Sequence, residues 1–338
     1  MQIQDLVHHF SLGFLVCALG NQRELKSEIV LGGCLKKSLV VSIWGADAYN
    51  FIRAYLLVRG YGEDAAEGFQ VSNEFRELIR RSQSLNVPFS YAPLFLDLIH
   101  GKRSTEPDRA LNIKGSADTH QRYFLPVISQ MKRGVSSLRV IDIGCGNGGF
   151  IANLLASCGS RVSVQAFGVD VSDISINTFN SRFERYSKIA SMKCDGFDVE
   201  QWSTAVKQFL LTDPDYISLW FLIHELRNFR ITEVQDFFCQ LQQRFPRTAL
   251  VLTDLVRPRL EAFATNALTV MPEYTLFHDL SGQSLLDQQT WNSMLESIPY
   301  EVTASRQYDT RVLSDGRQEH SVITVFLSPI SEEEFLNA

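Results

Sequence analysis

The sequence has few cysteines for its length, and none of them are clustered. The six cysteines in 338 residues form no C-x-x-C pair and no zinc-finger spacing. They are Cys17, Cys34, Cys145, Cys158, Cys194 and Cys239. This spacing excludes a structural zinc knuckle or a thioredoxin-like motif, and we predict buried, reduced thiols in a cytoplasmic protein.

The chain also lacks long basic runs and apolar runs of membrane-spanning length. Its 32 Lys and Arg residues are outnumbered by 38 Asp and Glu residues, for a formal net charge of −6. Thinly spread basic residues argue against nucleic acid as a partner. The apolar stretch 10–20 follows Asp5, His8 and His9, where a secretory signal would carry basic residues. We predict a buried helix there and no membrane partner.

The first hundred residues have helical apolar spacing without alternating strands. Residues 68–74 predict a short strand followed by a helix that Ser72 or Asn73 caps. We therefore predict a helical, winged-helix-like domain over residues 1–115 that ends in a linker at 101–115. Such a domain in front of a catalytic domain typically forms a homodimer and closes over the substrate.

From residue 116 to residue 338 the pattern changes to short apolar runs that alternate with helix-length segments. This alternation predicts an α/β fold with a doubly wound, Rossmann-like parallel sheet. Two further β-rich runs, 301–306 and 321–326, predict an antiparallel hairpin that completes the sheet. The predicted parallel strands cover 138–143, 165–169, 191–194, 216–222 and 249–253.

A glycine loop, Gly144-x-Gly146-x-x-Gly149, follows the first of these strands. Glycines there allow a ligand to approach the backbone, and the same spacing occurs in dinucleotide sites. Asp142 precedes the loop, at a position where pyrophosphate would disfavour a carboxylate. The carboxylate therefore favours a ligand that carries a positive charge.

Two more acidic residues follow the next strands. Asp170 ends the second strand, at the spacing from which a carboxylate accepts ribose hydroxyls. Asp195 and Gly196 follow the third strand, where an adenine amino group would lie. With Asp142 and the glycine loop, this order resembles the class I S-adenosylmethionine methyltransferases over residues 120–328. The resemblance implies S-adenosylmethionine as cofactor, with Asp142, Gly144, Gly146, Asp170, Asp195 and Gly196 around it.

Two histidines mark the predicted reacting centre. His224 and Glu225 follow the fourth strand, and His278 lies in the segment 271–283. This arrangement resembles the α-keto acid C-methyltransferases, dimeric enzymes that methylate phenylpyruvate, branched 2-oxo acids or 2-ketoarginine. The resemblance implies one metal ion, iron or zinc, on His224 and His278, with Glu225 as a base or as a partner of metal-bound water. Arg122 or Arg257 would match the substrate carboxylate.

The sequence thus predicts methylation of the β carbon of a 2-oxo acid through a metal-stabilised enolate, in natural-product biosynthesis towards a β-methyl amino acid. The main alternative is O-methylation of a small phenolic or hydroxylated molecule, with His224 as general base. A silent scaffold and a nicotinamide-dependent oxidoreductase are the other hypotheses. His8, His9 and His120 have no such context, and we predict structural roles for them.

Overall fold

The computed structural model describes residues 3–93, 97, 109–225, 230–258, 275, 278, 283, 285–312, 316 and 318–330. The chain divides into two compact units. The first comprises residues 1–90 and 114–119, and the second comprises residues 91–113 and 120–338.

The first unit is a helical region with a small antiparallel sheet. Its helices are α1 (Ile3–Gly20), α2 (Arg23–Ser27), α3 (Lys37–Trp44), α4 (Ala46–Val58), α5 (Asn73–Arg80) and α6 (Asn86–Ser90). Its strands β1 (Cys34–Lys36), β2 (Gly62–Ala65) and β3 (Gly68–Val71) lie in the order β1-β3-β2. The predicted cap is present, because Ser72 Oγ accepts the N–H of Phe75 at 3.2 Å and so begins α5.

The prediction of a buried helix over residues 10–20 is correct for the helix but wrong for part of its surface. Val16 and Leu19 are buried, whereas the side chains of Phe10 and Phe14 are 67% and 60% exposed. Phe10 and Phe14 are one turn apart and share a face that the core does not cover. Among the described helices, none combines the length and apolarity that a membrane span requires.

The second unit contains the large sheet and the helices around it. Its strands are β4 (Ser137–Ile143), β5 (Ser163–Asp170), β6 (Ile189–Lys193), β7 (Tyr216–Trp220), β8 (Ala249–Arg257), β9 (Leu286–Asp287), β10 (Tyr300–Tyr308), β11 (Arg311–Val312), β12 (Gln318–Glu319) and β13 (Val322–Pro329). The helices are α7 (Arg109–Met131), of which residues 114–119 belong to the first unit, α8 (Gly149–Cys158), α9 (Asp173–Phe183), α10 (Val199–Leu210), α11 (Ile231–Arg244) and α12 (Gln288–Glu296). The predicted linker is wrong over 109–115, because these residues begin α7; residues 101–108 lie outside the described part.

The sheet order is β10-β13-β8-β7-β4-β5-β6, with the short β9 beside β8. Strands β4 to β8 pair in parallel, and β13 pairs antiparallel with both β8 and β10. This confirms the α/β, Rossmann-like fold and the predicted hairpin. The fourth strand is shorter than predicted, because β7 ends at Trp220 rather than at residue 222.

Alternation along the strands divides the side chains between the two faces of the sheet. Ile143 and Leu219 pack in the layer that contains Trp202. Val140 and Trp220 pack on the other face with Phe124, Phe150 and their neighbours. Full burial of one valine, leucine, isoleucine or phenylalanine side chain in these layers stabilises the fold by about 1.5–3 kcal/mol. By the same alternation, Asp142 projects to the face of Val140 and Trp220, whereas Asp254 projects to the face that contains Trp202.

Candidate active site

The glycine loop leaves β4 in a left-handed conformation. Gly144, Gly146 and Gly148 have φ values of +70°, +53° and +76°. A Cβ at Gly146 would meet no other atom within 4 Å, whereas one at Gly148 would lie 2.4 Å from the ring of Phe183. The loop therefore presents an open backbone surface at Gly146, and this surface fits a ligand that lies against the chain.

Asp142 lies beneath this loop and is only 1% exposed. It accepts a hydrogen bond from Ser218 Oγ at 2.8 Å, because both side chains project from neighbouring strands to the same face. Burial raises the pKa of Asp142 to about 7, although the bond from Ser218 opposes the rise. A buried carboxylate without a cationic partner in the described residues suits a ligand that supplies the positive charge.

Asp170 is tied to the same loop at the end of β5. Its Oδ2 accepts the N–H of Gly146 at 2.9 Å, and its Oδ1 accepts the N–H of Ser172 at 2.8 Å. Two backbone bonds fix the carboxylate, and each oxygen keeps a lone pair for a further hydrogen-bond donor. The bond to the backbone of Gly146 thus sets the distance between the glycine loop and the end of β5. Asp170 ends the second strand of the sheet, as the sequence predicts.

Asp195 and Gly196 follow β6. Asp195 is exposed, and its Oδ1 accepts the N–H of Phe197 at 3.0 Å. A Cβ at Gly196 would lie 2.4 Å from a methyl carbon of Ile143, so the turn passes directly over the end of β4. Glycine at this position permits the close approach, and Asp195 lies just beyond the carboxyl end of β6.

The chain changes direction immediately after β7. Phe221 has φ +53°, which is unusual for a bulky residue, and its N–H donates to Thr253 O at 2.7 Å. A single 3-10 turn, Ile223–Glu225, follows. Because the strand has ended, His224 and Glu225 are not forced onto opposite faces, and His224 Nε2 lies 3.9 Å from Glu225 Oε1.

Asp254 on β8 holds this turn. Its Oδ2 accepts the backbone N–H groups of Ile223 and His224 at 2.7 and 3.3 Å, and its Oδ1 lies 2.5 Å from His224 Nδ1. Asp254 is fully buried and His224 is 7% exposed. Burial works against a charged imidazole, but the charge and hydrogen bond of Asp254 outweigh it and raise the pKa of His224.

His278 lies beside this pair. Its ring centroid is 4.9 Å from that of His224, and the two rings are nearly perpendicular. Tyr91 adds a third ring, 6.0 Å from His278. Gln283 connects the group, because its amide Nε2 donates to Glu225 Oε2 at 2.7 Å and its N–H donates to His278 O at 3.0 Å. The structure therefore brings the three predicted reacting residues together.

Three residues of this site have no assigned role in the sequence interpretation: Asp254, Gln283 and Tyr91. Asp254 had a usable signal, since it lies on the fifth parallel strand at the edge where the other polar residues converge. Gln283 and Tyr91 are linked by a hydrogen bond of 3.3 Å across 192 positions, and no local pattern predicts such a pair. In the part of the chain that is described, no group of three or more His, Cys, Asp or Glu residues is arranged to hold a metal ion.

Arg122 lies near the aromatic residues around Phe221 rather than in the histidine group. Its guanidinium pairs with Asp309 at 2.9 Å and lies over the ring of Tyr123, 4.7 Å from the centroid. The side chain is 57% exposed. Its role as a carboxylate partner remains a prediction, and binding a substrate would compete with the bond to Asp309.

The comparisons with known proteins agree with this geometry. A family model described as "Methyltransferase domain" matches residues 116–306, which is more than half of the chain. A search of curated proteins found no relative. Among solved structures, an O-methyltransferase family protein from Burkholderia thailandensis is 12% identical, with a TM-score of 0.61 over 98% of this chain and 99% of that one.

Two further structures have the same fold. An O-methyltransferase of neocarzinostatin biosynthesis, solved with S-adenosyl-L-homocysteine and 1,4-dihydroxy-2-naphthoic acid, is 13% identical, with a TM-score of 0.59 over 94% of this chain and 96% of that one. An N,N-8-amino-8-demethyl-D-riboflavin dimethyltransferase from Streptomyces davawensis is 14% identical, with a TM-score of 0.55 over 97% of this chain and 99% of that one. The chain belongs to the methyltransferase-domain family, and it is an S-adenosylmethionine-dependent methyltransferase.

Proposed function

We propose that this enzyme transfers the methyl group of S-adenosylmethionine to a hydroxyl oxygen of a small organic molecule, with His224 as the general base. The observation that carries the proposal is the 2.5 Å contact between His224 Nδ1 and Asp254 Oδ1. A buried carboxylate at Nδ1 favours the tautomer in which Nδ1 carries the proton. The lone pair of Nε2 is then available to accept a proton from the substrate.

In the proposed reaction, the hydroxyl proton moves to His224 Nε2 while the oxygen attacks the methyl carbon. The carbon–sulfur bond breaks, its electron pair stays on sulfur, and S-adenosylhomocysteine leaves. Asp254 stabilises the imidazolium that results, because its negative charge lies next to the new positive charge in a buried site. The enzyme also aligns oxygen, carbon and sulfur by binding both reactants.

The residues around the donor fit S-adenosylmethionine. In the proposed complex, Asp142 supplies the buried negative charge for the ammonium group, and Asp170 accepts the ribose hydroxyls. The open space beside the backbone of Gly146 and the bond between Gly146 and Asp170 support this arrangement. Asp195 and Gly196 are proposed to lie at the adenine. Structural neighbours that are named as an O-methyltransferase family protein and an O-methyltransferase, and that align over nearly the whole chain, support the oxygen acceptor.

A second candidate function is methylation of the β carbon of a 2-oxo acid. It is favoured by one observation, the 4.9 Å separation of the His224 and His278 rings, which the hydroxyl mechanism does not require. Asp254 at Nδ1 leaves Nε2 of His224 free for a metal such as iron or zinc, and carboxylates commonly orient metal-bound histidines in this way. Bound there, a metal ion would stabilise an enolate oxygen. Two imidazoles are a sparse ligand set, since no third ligand joins them among the described residues.

One experiment separates the two functions. The purified enzyme is incubated with S-adenosylmethionine and a panel of hydroxylated aromatic acids, catechols, phenylpyruvate, branched 2-oxo acids and 2-ketoarginine, with and without a chelator. Mass spectrometry then locates any added methyl group. Methylation of a hydroxyl that persists in chelator is the expected result. Methylation of 2-oxo acids alone, lost in chelator and in His278→Ala, would replace the proposal with the second candidate.

We also propose that residues 1–115 form a homodimer interface and residues 116–338 the catalytic domain. Of sixteen large apolar side chains exposed in the described residues, eight belong to the first unit. On α4, Phe51 and Val58 are 75% and 82% exposed and lie two turns apart on one face. Apolar surfaces of this kind typically mark protein–protein contacts, and a second copy of the chain is the proposed partner.

A further inference from the structure

His120, for which the sequence predicts a structural role, packs against the residue that follows β7. It projects from α7, and its ring stacks on Phe221 with the centroids 4.0 Å apart and the planes inclined by 18°. Phe221 is the residue with the unusual φ of +53° that ends β7. The stack therefore joins α7 to the point where the chain turns towards His224.

The neighbours of His120 cover the cofactor loop. Leu222, next to Phe221, places a methyl carbon 3.1 Å from the position that a Cβ of Gly144 would occupy. One residue after His120, Gln121 Nε2 donates to Asn153 Oδ1 on α8 at 3.3 Å. The ring of Phe124 lies 3.8 Å from the Cβ position of Gly149, the first residue of α8. This part of α7 thus packs against the first two turns of α8, at the point where the glycine loop ends.

The imidazole of His120 has hydrogen-bonding capacity that the described residues do not use. Its described contacts are with the rings of Phe221 and Phe124, and no hydrogen bond to a described residue is present. Removal from water lowers the pKa of His120 to about 3, and the nearby charge of His224 contributes. The ring is therefore neutral at physiological pH, with one N–H donor and one acceptor nitrogen.

In the complex under the proposed function, the amino-acid end of S-adenosylmethionine binds at Asp142 and the glycine loop, and its carboxylate needs hydrogen-bond donors. Asp142 is the proposed partner of the ammonium group of the cofactor. The carboxylate of the cofactor requires N–H donors from the side of the glycine loop. The N-terminus of α8 supplies some of them. The basic side chain of Arg122, two residues further along α7, is paired with Asp309 instead.

We propose that His120 is a cofactor-positioning residue. Stacking on Phe221 fixes the orientation of its imidazole, and the imidazole N–H donates a hydrogen bond to the carboxylate of S-adenosylmethionine. The inference rests on the donor site that the proposed function uses, and it does not depend on the identity of the acceptor. A neutral donor keeps this bond over the whole physiological pH range. It also adds no positive charge next to the sulfonium.

Calorimetric titration with two probes tests the proposal. S-adenosylhomocysteine has the amino-acid carboxylate, and 5′-methylthioadenosine lacks that whole end. In His120→Phe, which keeps a ring on Phe221 but removes the donor, the Kd of S-adenosylhomocysteine should rise about tenfold, the worth of one hydrogen bond to a charged group. The Kd of 5′-methylthioadenosine should not change.

Matched variants separate a hydrogen bond from a packing effect. His120→Gln retains an N–H donor and should bind S-adenosylhomocysteine within about threefold of wild type, and Gln121→Ala serves as a control on the same helix. If His120→Phe does not fold, His120→Leu takes its place. Unchanged affinity for S-adenosylhomocysteine in the donor-free variant, or an equal loss for both probes, would overturn the proposal. Failure of hydroxyl methylation, in contrast, would leave wild-type binding of S-adenosylhomocysteine intact.

Discussion

Asp254 holds both the backbone and the imidazole of His224 with a single carboxylate. One oxygen accepts two backbone N–H groups, those of Ile223 and His224, and the other oxygen lies 2.5 Å from His224 Nδ1. The imidazole is therefore positioned from strand β8 and not only from the turn that carries it. Both the orientation and the tautomer of His224 depend on this carboxylate.

Replacing Asp254 with asparagine tests this dependence. In Asp254→Asn the amide oxygen can still accept the backbone N–H groups, but the NH₂ group then faces Nδ1 and donates to it. The proton of the neutral imidazole moves to Nε2, where it blocks proton acceptance. We expect kcat to fall by about 10²–10⁴, the usual contribution of a general base.

The control for this variant is donor binding. The Kd of S-adenosylhomocysteine and the Tm should stay close to wild type, since the asparagine preserves the bonds to the turn. His224→Gln should lose activity to a similar extent, and the double variant should lose little more, because the two residues act as one unit. Retention of full activity by Asp254→Asn would contradict the role of His224 as base.

The cofactor half of the site could be predicted from the sequence because its signals are local. Asp170 is the last residue of β5 and Asp142 is the last but one of β4. Parallel strands bring their carboxyl ends to one edge of the sheet. In the structure, Asp170 accepts the N–H of Gly146 in the glycine loop, and Asp142, two residues before Gly144, accepts a hydrogen bond from Ser218 on β7. The bond from Ser218 to Asp142 spans 76 positions, so the sequence pattern predicts the carboxylate but not this partner.

The reacting half could be predicted only in part. His224 and Asp254 are 30 residues apart, and they meet because β7 and β8 are adjacent and β7 ends at Trp220. The early end depends on Phe221 in a left-handed conformation, which no residue preference would suggest for phenylalanine. His120 shows the same limit, since its stacking on Phe221 spans 101 positions.

Cofactor binding should depend on pH through Asp142. Its pKa of about 7, raised by burial, means that the carboxyl is largely protonated at pH 6 and must ionise to bind the ammonium group. We expect the affinity for S-adenosylhomocysteine to rise about 25-fold between pH 5.5 and pH 7.5, in proportion to the ionised fraction of Asp142. Calorimetry in matched buffers measures this directly.

The same carboxyl changes the stability of the ligand-free protein in the opposite sense. A carboxyl whose pKa is higher in the folded state binds more protons there than when unfolded, so its stabilising contribution is present below pH 3.8 and is lost as pH rises through about 7.

Asp142→Asn is the control for the pH dependence of binding. This variant should bind S-adenosylhomocysteine with an affinity that does not change with pH and that is weaker than wild type at pH 7.5. A pH dependence that survives in Asp142→Asn would assign it to another group.

Two glycines of the loop should respond differently to alanine. At Gly146 the added methyl group meets no protein atom, so Gly146→Ala should cost only about 1–2 kcal/mol for its positive φ while it occupies ligand space. At Gly148 the methyl group would be forced against the buried rings of Phe183 and Phe179, at 2.4 and 2.9 Å. Gly148→Ala should therefore lower the Tm much more.

Thermal melting and calorimetry on the two glycine variants give the comparison. Gly146→Ala is expected to lose at least tenfold in affinity for S-adenosylhomocysteine, the loss of about 1.4 kcal/mol, with a modest change in Tm. If Gly146→Ala instead bound S-adenosylhomocysteine as wild type does, the cofactor would not lie against the backbone at this residue. The two variants are matched, since each adds one methyl group at a positive φ in the same loop.

The proposed dimer can be tested at Phe51, whose side chain is 75% exposed on α4. Phe51→Asp would bury a charge in an apolar interface, and an unpaired buried charge is far more costly than the apolar contact it replaces. Sedimentation at micromolar concentration should therefore find a dimer for wild type and a monomer for Phe51→Asp. Leu211→Asp, which changes an 83% exposed leucine of the second unit, should remain dimeric. A monomeric wild type, or dissociation by Leu211→Asp and not by Phe51→Asp, would remove the first unit as the interface.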